Sequence, residues 1–113
     1  MSEPKLKISA TCVRVPVIRA HSEAINIETQ EYIGESKAKE ILQSSAGIKV
    51  LDTRMDGGYP TPLDASETPQ TWVGRIRDDI SCDNGLALWC VADQLWKGAA
   101  LNAVQIAELL VTE

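Results

Sequence analysis

The sequence has no phenylalanine and a single histidine, and aromatic residues make up only 4% of its 113 positions. A core without Phe has to be filled by Leu, Ile, Val and Ala, with Trp72, Trp89 and Trp96 as its large pieces. Cysteine is sparse: Cys12, Cys82 and Cys90 are an odd set with no CxxC spacing. That excludes a regular disulfide framework, suits a reducing compartment and, with one His in the chain, makes a poor zinc site. The seven glycines contain no GxGxxG and no GxxxxGK pattern, so a phosphate-cradling loop is missing. The chain is also too short for the alternating βαβ units of a dinucleotide-binding fold. No apolar run approaches the ~20 residues that cross a bilayer, and Met1 to Lys5 lacks the apolar stretch of a signal peptide. The cations form no run longer than Lys37-Ala38-Lys39, and the formal net charge is −5, so a nucleic-acid backbone would be repelled. These absences lead us to expect a soluble, cytoplasmic chain that engages neither nucleic acid nor membrane and holds no metal.

What is present is an ordinary globular mix, 44% hydrophobic and 24% charged, at a length that suits one domain over residues 1–113. From Leu6 to Val15 apolar and polar residues alternate, which predicts a half-buried strand; Pro16 should end it or put it on an edge. A second alternating stretch runs from Ala20 to Thr29, with Ile25 and Ile27 on the parity of His21. Ser36 to Ser45 reads as a helix, with Ser36 able to cap it and Gly47 just past its end. Ile48 to Leu51 reads as a short buried strand. Residues 52–70 are full of turn punctuation and predict a loop of about 19 residues, long enough to be functional or to cross another subunit. Trp72 to Ile80 and Leu86 to Val91 predict two strands joined by Asp83-Asn84-Gly85. Trp96 to Val111 predicts a helix with Ala100, Val104, Ala107 and Val111 in one apolar row. Gly98 near its start suggests a close backbone approach. The sum is an α+β domain, a mostly antiparallel sheet with two helices.

His21 is the one side chain whose ordinary pKa lies near neutrality, which makes it the candidate for proton transfer; the alternative is a histidine serving only a structural hydrogen bond. Arg14 shares the parity of Leu6, Ile8, Ala10 and Cys12, so a regular strand would turn its guanidinium toward the buried face. A five-donor fork there suits a carboxylate or phosphate, or else an ion pair with one of the chain's acids. Arg14 and His21 are seven positions apart and can share a site only across a bend such as Pro16 supplies. Arg19, Arg75 and Arg77 fall where solvated faces are expected. Cys12 and Cys90 lie inside predicted strands and read as small core residues, and Cys82 has no evident activator.

These segments resemble a known family. Ser9-Ala10-Thr11-Cys12-Val13-Arg14-Val15-Pro16-Val17-Ile18-Arg19-Ala20-His21-Ser22-Glu23-Ala24 is similar to the substrate-binding and acid/base stretch of aspartate-semialdehyde dehydrogenases. The likeness continues through Tyr59 to Ser66 and Val73 to Asp79, and closes with Ala92-Asp93-Gln94-Leu95-Trp96-Lys97-Gly98-Ala99-Ala100-Leu101-Asn102. The family reversibly reduces aspartyl-4-phosphate to aspartate 4-semialdehyde with NADPH, on the route to lysine, methionine and threonine. The resemblance extends to the C-terminal α+β portion, which carries catalytic residues and the dimer interface, and not to the N-terminal nucleotide-binding domain.

The resemblance implies that Arg14 grips the substrate carboxylate and that His21 donates and accepts the proton. It implies that Gln94 contacts the nicotinamide end of the cofactor, with Asn102 in the same neighbourhood. Trp96 stands where the family often has Arg. The family's nucleophilic cysteine belongs to a segment not matched here, and none of the three cysteines corresponds to it. The expectation is therefore a portion of the enzyme inactive by itself, which binds substrate and NADP only in the complete protein. It would homodimerise or associate with an N-terminal half through apolar surface that includes one side of the Ala100, Val104 and Ala107 row. The rival readings are a non-catalytic dimerisation module derived from the family and a small anion-binding domain built on Arg14.

Overall fold

The computed structural model describes residues 3–13 and 17–111. Strand β1 (His21–Glu28) is followed by helix α1 (Glu35–Ser44), strand β2 (Ile48–Val50) and a one-turn helix α2 (Pro62–Ala65). Strands β3 (Thr71–Asp79) and β4 (Gly85–Ala92) come next, then a kinked segment and helix α3 (Leu101–Val111). The sheet order is β1-β4-β3-β2, with β2 parallel to β3 and the other pairs antiparallel. The expected α+β class and the β1, β2, β3 and β4 segments agree with this architecture to within a residue or two.

β4 is a central strand, and its sequence Gly85-Leu-Ala-Leu-Trp-Cys-Val-Ala is apolar at every position because both faces are covered. Leu86 and Leu88 meet Val73, Ile76 and Ala38 beneath α1. Trp89 and Val91 meet Ala20 and Ala65 beneath α2. Trp89 is thus core, whereas Trp96 is 40% exposed and belongs to neither cluster.

A bulge in β3 decides which residues reach which face. Gly74 pairs with Trp89 but Arg77 pairs with Ala87, so β3 carries one residue more than its partner. Arg75 takes up the slack in the left-handed region, φ 52. The extra residue flips the alternation, sending Ile76 into the α1 core and bringing Arg75 and Arg77 onto the other face. There they bind the N-terminal segment: Arg75 donates to the Cys12 carbonyl at 2.7 Å, and Arg77 to the Ala10 carbonyl and Thr11 Oγ1 at 3.3 and 2.6 Å. The carbonyls of Ala10 and Cys12 therefore serve guanidinium donors rather than a ladder, and residues 6–13 form no strand. Leu6 and Ile8 are about half exposed, at 51% and 55%, and Cys12 is exposed rather than core. The two arginines expected on solvated faces are instead structural tethers.

The remaining differences have local causes. α1 starts at Glu35, one residue before the expected cap, because Asp78 on β3 accepts the Glu35 N–H at 3.1 Å and caps the helix from outside. The 52–70 segment contains α2, closed by a reciprocal box between Thr61 and Asp64 with Pro62 at the first helical position. It folds back onto the sheet of its own chain: Trp89 Nε1 donates to the buried Pro60 carbonyl at 3.0 Å. Gly74 leaves room for that approach, since a Cβ there would collide with the Leu51 carbonyl and with Pro60. The last helix begins at Leu101 and not at Trp96, because Lys97, Gly98 and Ala99 have non-helical dihedrals. Gly98 serves this break through its φ of 90°; among the described residues nothing beyond its own turn lies within 4 Å of where its Cβ would stand, so no close approach by another segment explains it.

Candidate active site at the β1–β4 end

His21 opens β1 and stands opposite Ala92, the last residue of β4. Directly opposed residues of an antiparallel pair share a face, so His21 lies on the same side as Glu23, Cys90 and the α1 core, and it is exposed at the sheet's end. Two residues beyond Ala92 the chain reaches Gln94, whose Oε1 accepts the Ala20 N–H at 2.9 Å. Thus the segments of His21 and Gln94, far apart in sequence, are brought together by one hydrogen bond at the residue next to the imidazole. Ala20 is buried and sits in the left-handed region at φ 79, a conformation that a side-chain-bearing residue rarely adopts.

Beneath this corner lies Asp93, fully buried at 0% exposure. Its carboxylate accepts the Glu67 N–H at 2.7 Å and the Leu95 N–H at 3.0 Å, and it pairs with the Arg19 guanidinium at 2.8 Å. Burial pushes the Asp93 carboxyl up, but the two backbone donors and Arg19 outweigh it and hold it below the ordinary carboxylate range. The Asp93 carbonyl also accepts from the N–H groups of Trp96 and Lys97, at 3.0 and 2.8 Å, and so starts the turn toward α3. Arg19 bridges to Glu67 as well, at 3.2 Å. Arg19 is therefore a half-buried ion-pair residue and not the solvated one expected. Neither Arg19 nor Asp93 stands out from the sequence as a site residue. The available signal is an acid placed directly after the wholly apolar run Leu86 to Ala92, where a carboxylate has to be buried and therefore paired.

Asn102 stands in the first turn of α3, where its Oδ1 accepts the Gly98 N–H at 3.1 Å and secures the kink. Arg14 lies outside the described residues, as does Pro16, so the bend expected to join Arg14 to His21 does too. Among the described residues no group of His, Cys, Asp and Glu is arranged to hold a metal ion, and no helix is long and apolar enough to cross a membrane. The three cysteines are free; burial and neighbouring carboxylates raise the thiols of Cys82 and Cys90 above the ordinary value.

α3 buries none of its described residues, and Val104, Ile106, Leu109 and Leu110 are each more than half exposed. Leu95, Trp96, Ala100, Leu101 and Val104 line an open apolar groove of about 380 Å³ at its start.

The sequence profile of the semialdehyde dehydrogenase dimerisation domain matches residues 1–97. Aspartate-semialdehyde dehydrogenase from Aquifex aeolicus is 48% identical over 113 residues, which is all of this chain and 33% of the relative. The enzyme of the same name from Campylobacter jejuni is 52% identical over 103 residues, covering 91% of this chain and 30% of the relative. Among solved structures, aspartate semialdehyde dehydrogenase II from Vibrio cholerae complexed with ASA superposes with a TM-score of 0.80 at 45% identity. That match covers 91% of this chain and 30% of the other. The chain thus spans about a third of the length of the relatives it matches. The profile over residues 1–97, the relatives and the superposed backbone point the same way, and the chain belongs to the semialdehyde dehydrogenase family, whose dimerisation domain it matches.

Proposed function

We propose that this chain works as the C-terminal, dimerisation-and-substrate portion of an aspartate-semialdehyde dehydrogenase. In that role it contributes to the interconversion of aspartyl-4-phosphate and aspartate 4-semialdehyde in the cytoplasm. The supporting observation is the corner at which the His21 segment and the Gln94 segment meet through the 2.9 Å bond from the Ala20 N–H. Both stretches are among those whose motifs resemble the family's.

In this reading His21, exposed at the end of the sheet, moves the proton at the reacting carbonyl oxygen of the substrate. Arg14 holds the substrate carboxylate, fixing which carbon faces the nucleophile. The nucleophilic cysteine comes from the portion of the enzyme outside this chain. Gln94 meets the nicotinamide end of NADP. Its Oε1 is engaged by Ala20, which leaves its amide N–H pair for a cofactor carbonyl. Asn102, by contrast, shapes the backbone that leads to that neighbourhood. The residues present fit one end of the cofactor and not its phosphates, since the chain has no glycine-rich cradle. The cofactor supplies hydride chemistry, and this chain supplies orientation and proton handling. The apolar surface of α3 faces the remaining portion of the enzyme or a second copy.

The same exposed α3 surface favours a second reading, a dimerisation module with no catalytic part. One experiment separates the two. The chain is combined with the complementary two-thirds of the Aquifex aeolicus enzyme, and NADPH oxidation with aspartyl-4-phosphate is followed. Restored turnover that depends on His21 supports the enzyme reading. Association without turnover supports the module.

A further inference from the structure

We propose that Asp93 is a positioning residue for His21, acting through Arg19 and assisted by Gln94. The proposal rests on His21 being the proton-transfer group. Three observations at one corner carry it. The peptide that leads into His21 holds Ala20 at φ 79, against the preference of any residue with a Cβ, and Ala20 is buried. Such a conformation persists only where surrounding bonds over-determine it. Two do so here: the Ala20 N–H is fixed by Gln94 Oε1, and Arg19, the residue before, is fixed by Asp93 at 2.8 Å. Both anchors come from consecutive residues just beyond β4, the strand whose register already places Ala92 opposite His21.

Asp93 is suited to this work because nothing about it is free to move. It is fully buried, and its oxygens also accept the N–H groups of Glu67 and Leu95, so it ties together the loop after α2, the start of the kink and the segment before His21. Glu67, which donates one of those bonds, is itself at φ 63. Backbone and guanidinium constraints thus converge on the residues just before the imidazole and just after Ala92. The pairing of β1 with β4 begins only at His21, so without the clamp the imidazole would hang from the frayed end of an edge strand.

The distinction from a merely structural ion pair is that the loss should appear in turnover through His21. In the enzyme reassembled with the complementary portion, Asp93→Asn is expected to lower kcat by about ten-fold or more while KM for the acyl phosphate stays within about two-fold, since misplacement of a reacting group costs rate more than binding. Asp93→Asn should add less than about two-fold to a His21→Asn variant, because the residue it positions is already gone. Arg19→Lys, which keeps the charge but not the fork, should fall between Arg19→Met and the parent, and it carries the same comparison if Asp93→Asn does not fold. Unchanged kcat in folded Asp93→Asn overturns the proposal. So does a loss of the same size whether His21 is intact or already replaced by asparagine. If His21→Asn itself leaves kcat intact, the reading of His21 falls and this proposal falls with it. A His21-dependent enzyme indifferent to Asp93 removes the positioning role alone.

Discussion

Trp89→Phe tests how the long 52–70 segment is held to the sheet. Trp89 is 5% exposed, faces Ala24 and Gly74 across its two neighbouring strands, and donates its indole N–H to the Pro60 carbonyl at 3.0 Å. Phenylalanine keeps the six-membered ring and removes the donor, so a buried carbonyl loses its partner at a cost of about 1–3 kcal/mol. The missing part of the ring leaves a small void that adds roughly 1 kcal/mol. The sum, about 2–4 kcal/mol, is a large share of the ~5–15 kcal/mol that typically holds a domain together. In urea denaturation followed by far-ultraviolet circular dichroism, the midpoint should fall by about 1 M or more with an unchanged slope. Protease cleavage between residues 52 and 70 should accelerate in the variant, because the same bond pins the loop. A midpoint shift under about 0.3 M, with no change in cleavage, would refute the assignment of that hydrogen bond as the loop's anchor.

Two further outcomes follow from local chemistry. Asp79 is held at about 2, chiefly by the Ser81 hydroxyl and backbone N–H and also by Asn26, against an ordinary value of 3.8. Its folded pKa is lower than its unfolded one, so the stability it contributes is present above about pH 4 and is lost as pH falls toward 2; Asp79→Asn should flatten that part of an acid titration of the unfolding midpoint. Native thiol titration with an aromatic disulfide should modify Cys12 first, since it is exposed, and Cys82 and Cys90 slowly, since burial raises both. Equal rates at all three would contradict the placement of the N-terminal segment.

Much of this fold is legible in the sequence because its strands are patterned simply. The β4 run is apolar throughout and sits inside the sheet, and β1, an edge strand, keeps Ile25 of its alternating sequence against the α1 core. The N-terminal stretch misleads for a specific reason. Leu6, Ile8, Ala10 and Cys12 alternate like a strand, but the segment's carbonyls are taken by Arg75 and Arg77, and those arginines face it only because of a bulge at Arg75. A bulge flips every later side chain, and no local pattern announces it. The kink at Gly98 is of the same kind, with a helical composition overridden by a φ of 90°. At the candidate site, motifs point to His21 and Gln94, whereas Arg19 and Asp93 emerge only from burial, because an ion pair between residues so far apart in sequence leaves no periodic signature.

Central to all of this is the proposal that His21 is the proton-transfer group in an enzyme completed by the rest of the family's chain. The most direct measurement is NADPH oxidation with aspartyl-4-phosphate after mixing this chain with the complementary two-thirds of the Aquifex aeolicus enzyme, comparing the parent with His21→Asn. The expected result is no turnover by the 113-residue chain alone, turnover by the mixture, and a loss of about 10²-fold or more in the variant. Turnover by the mixture that is indifferent to the substitution, or turnover by the isolated chain, would contradict that assignment.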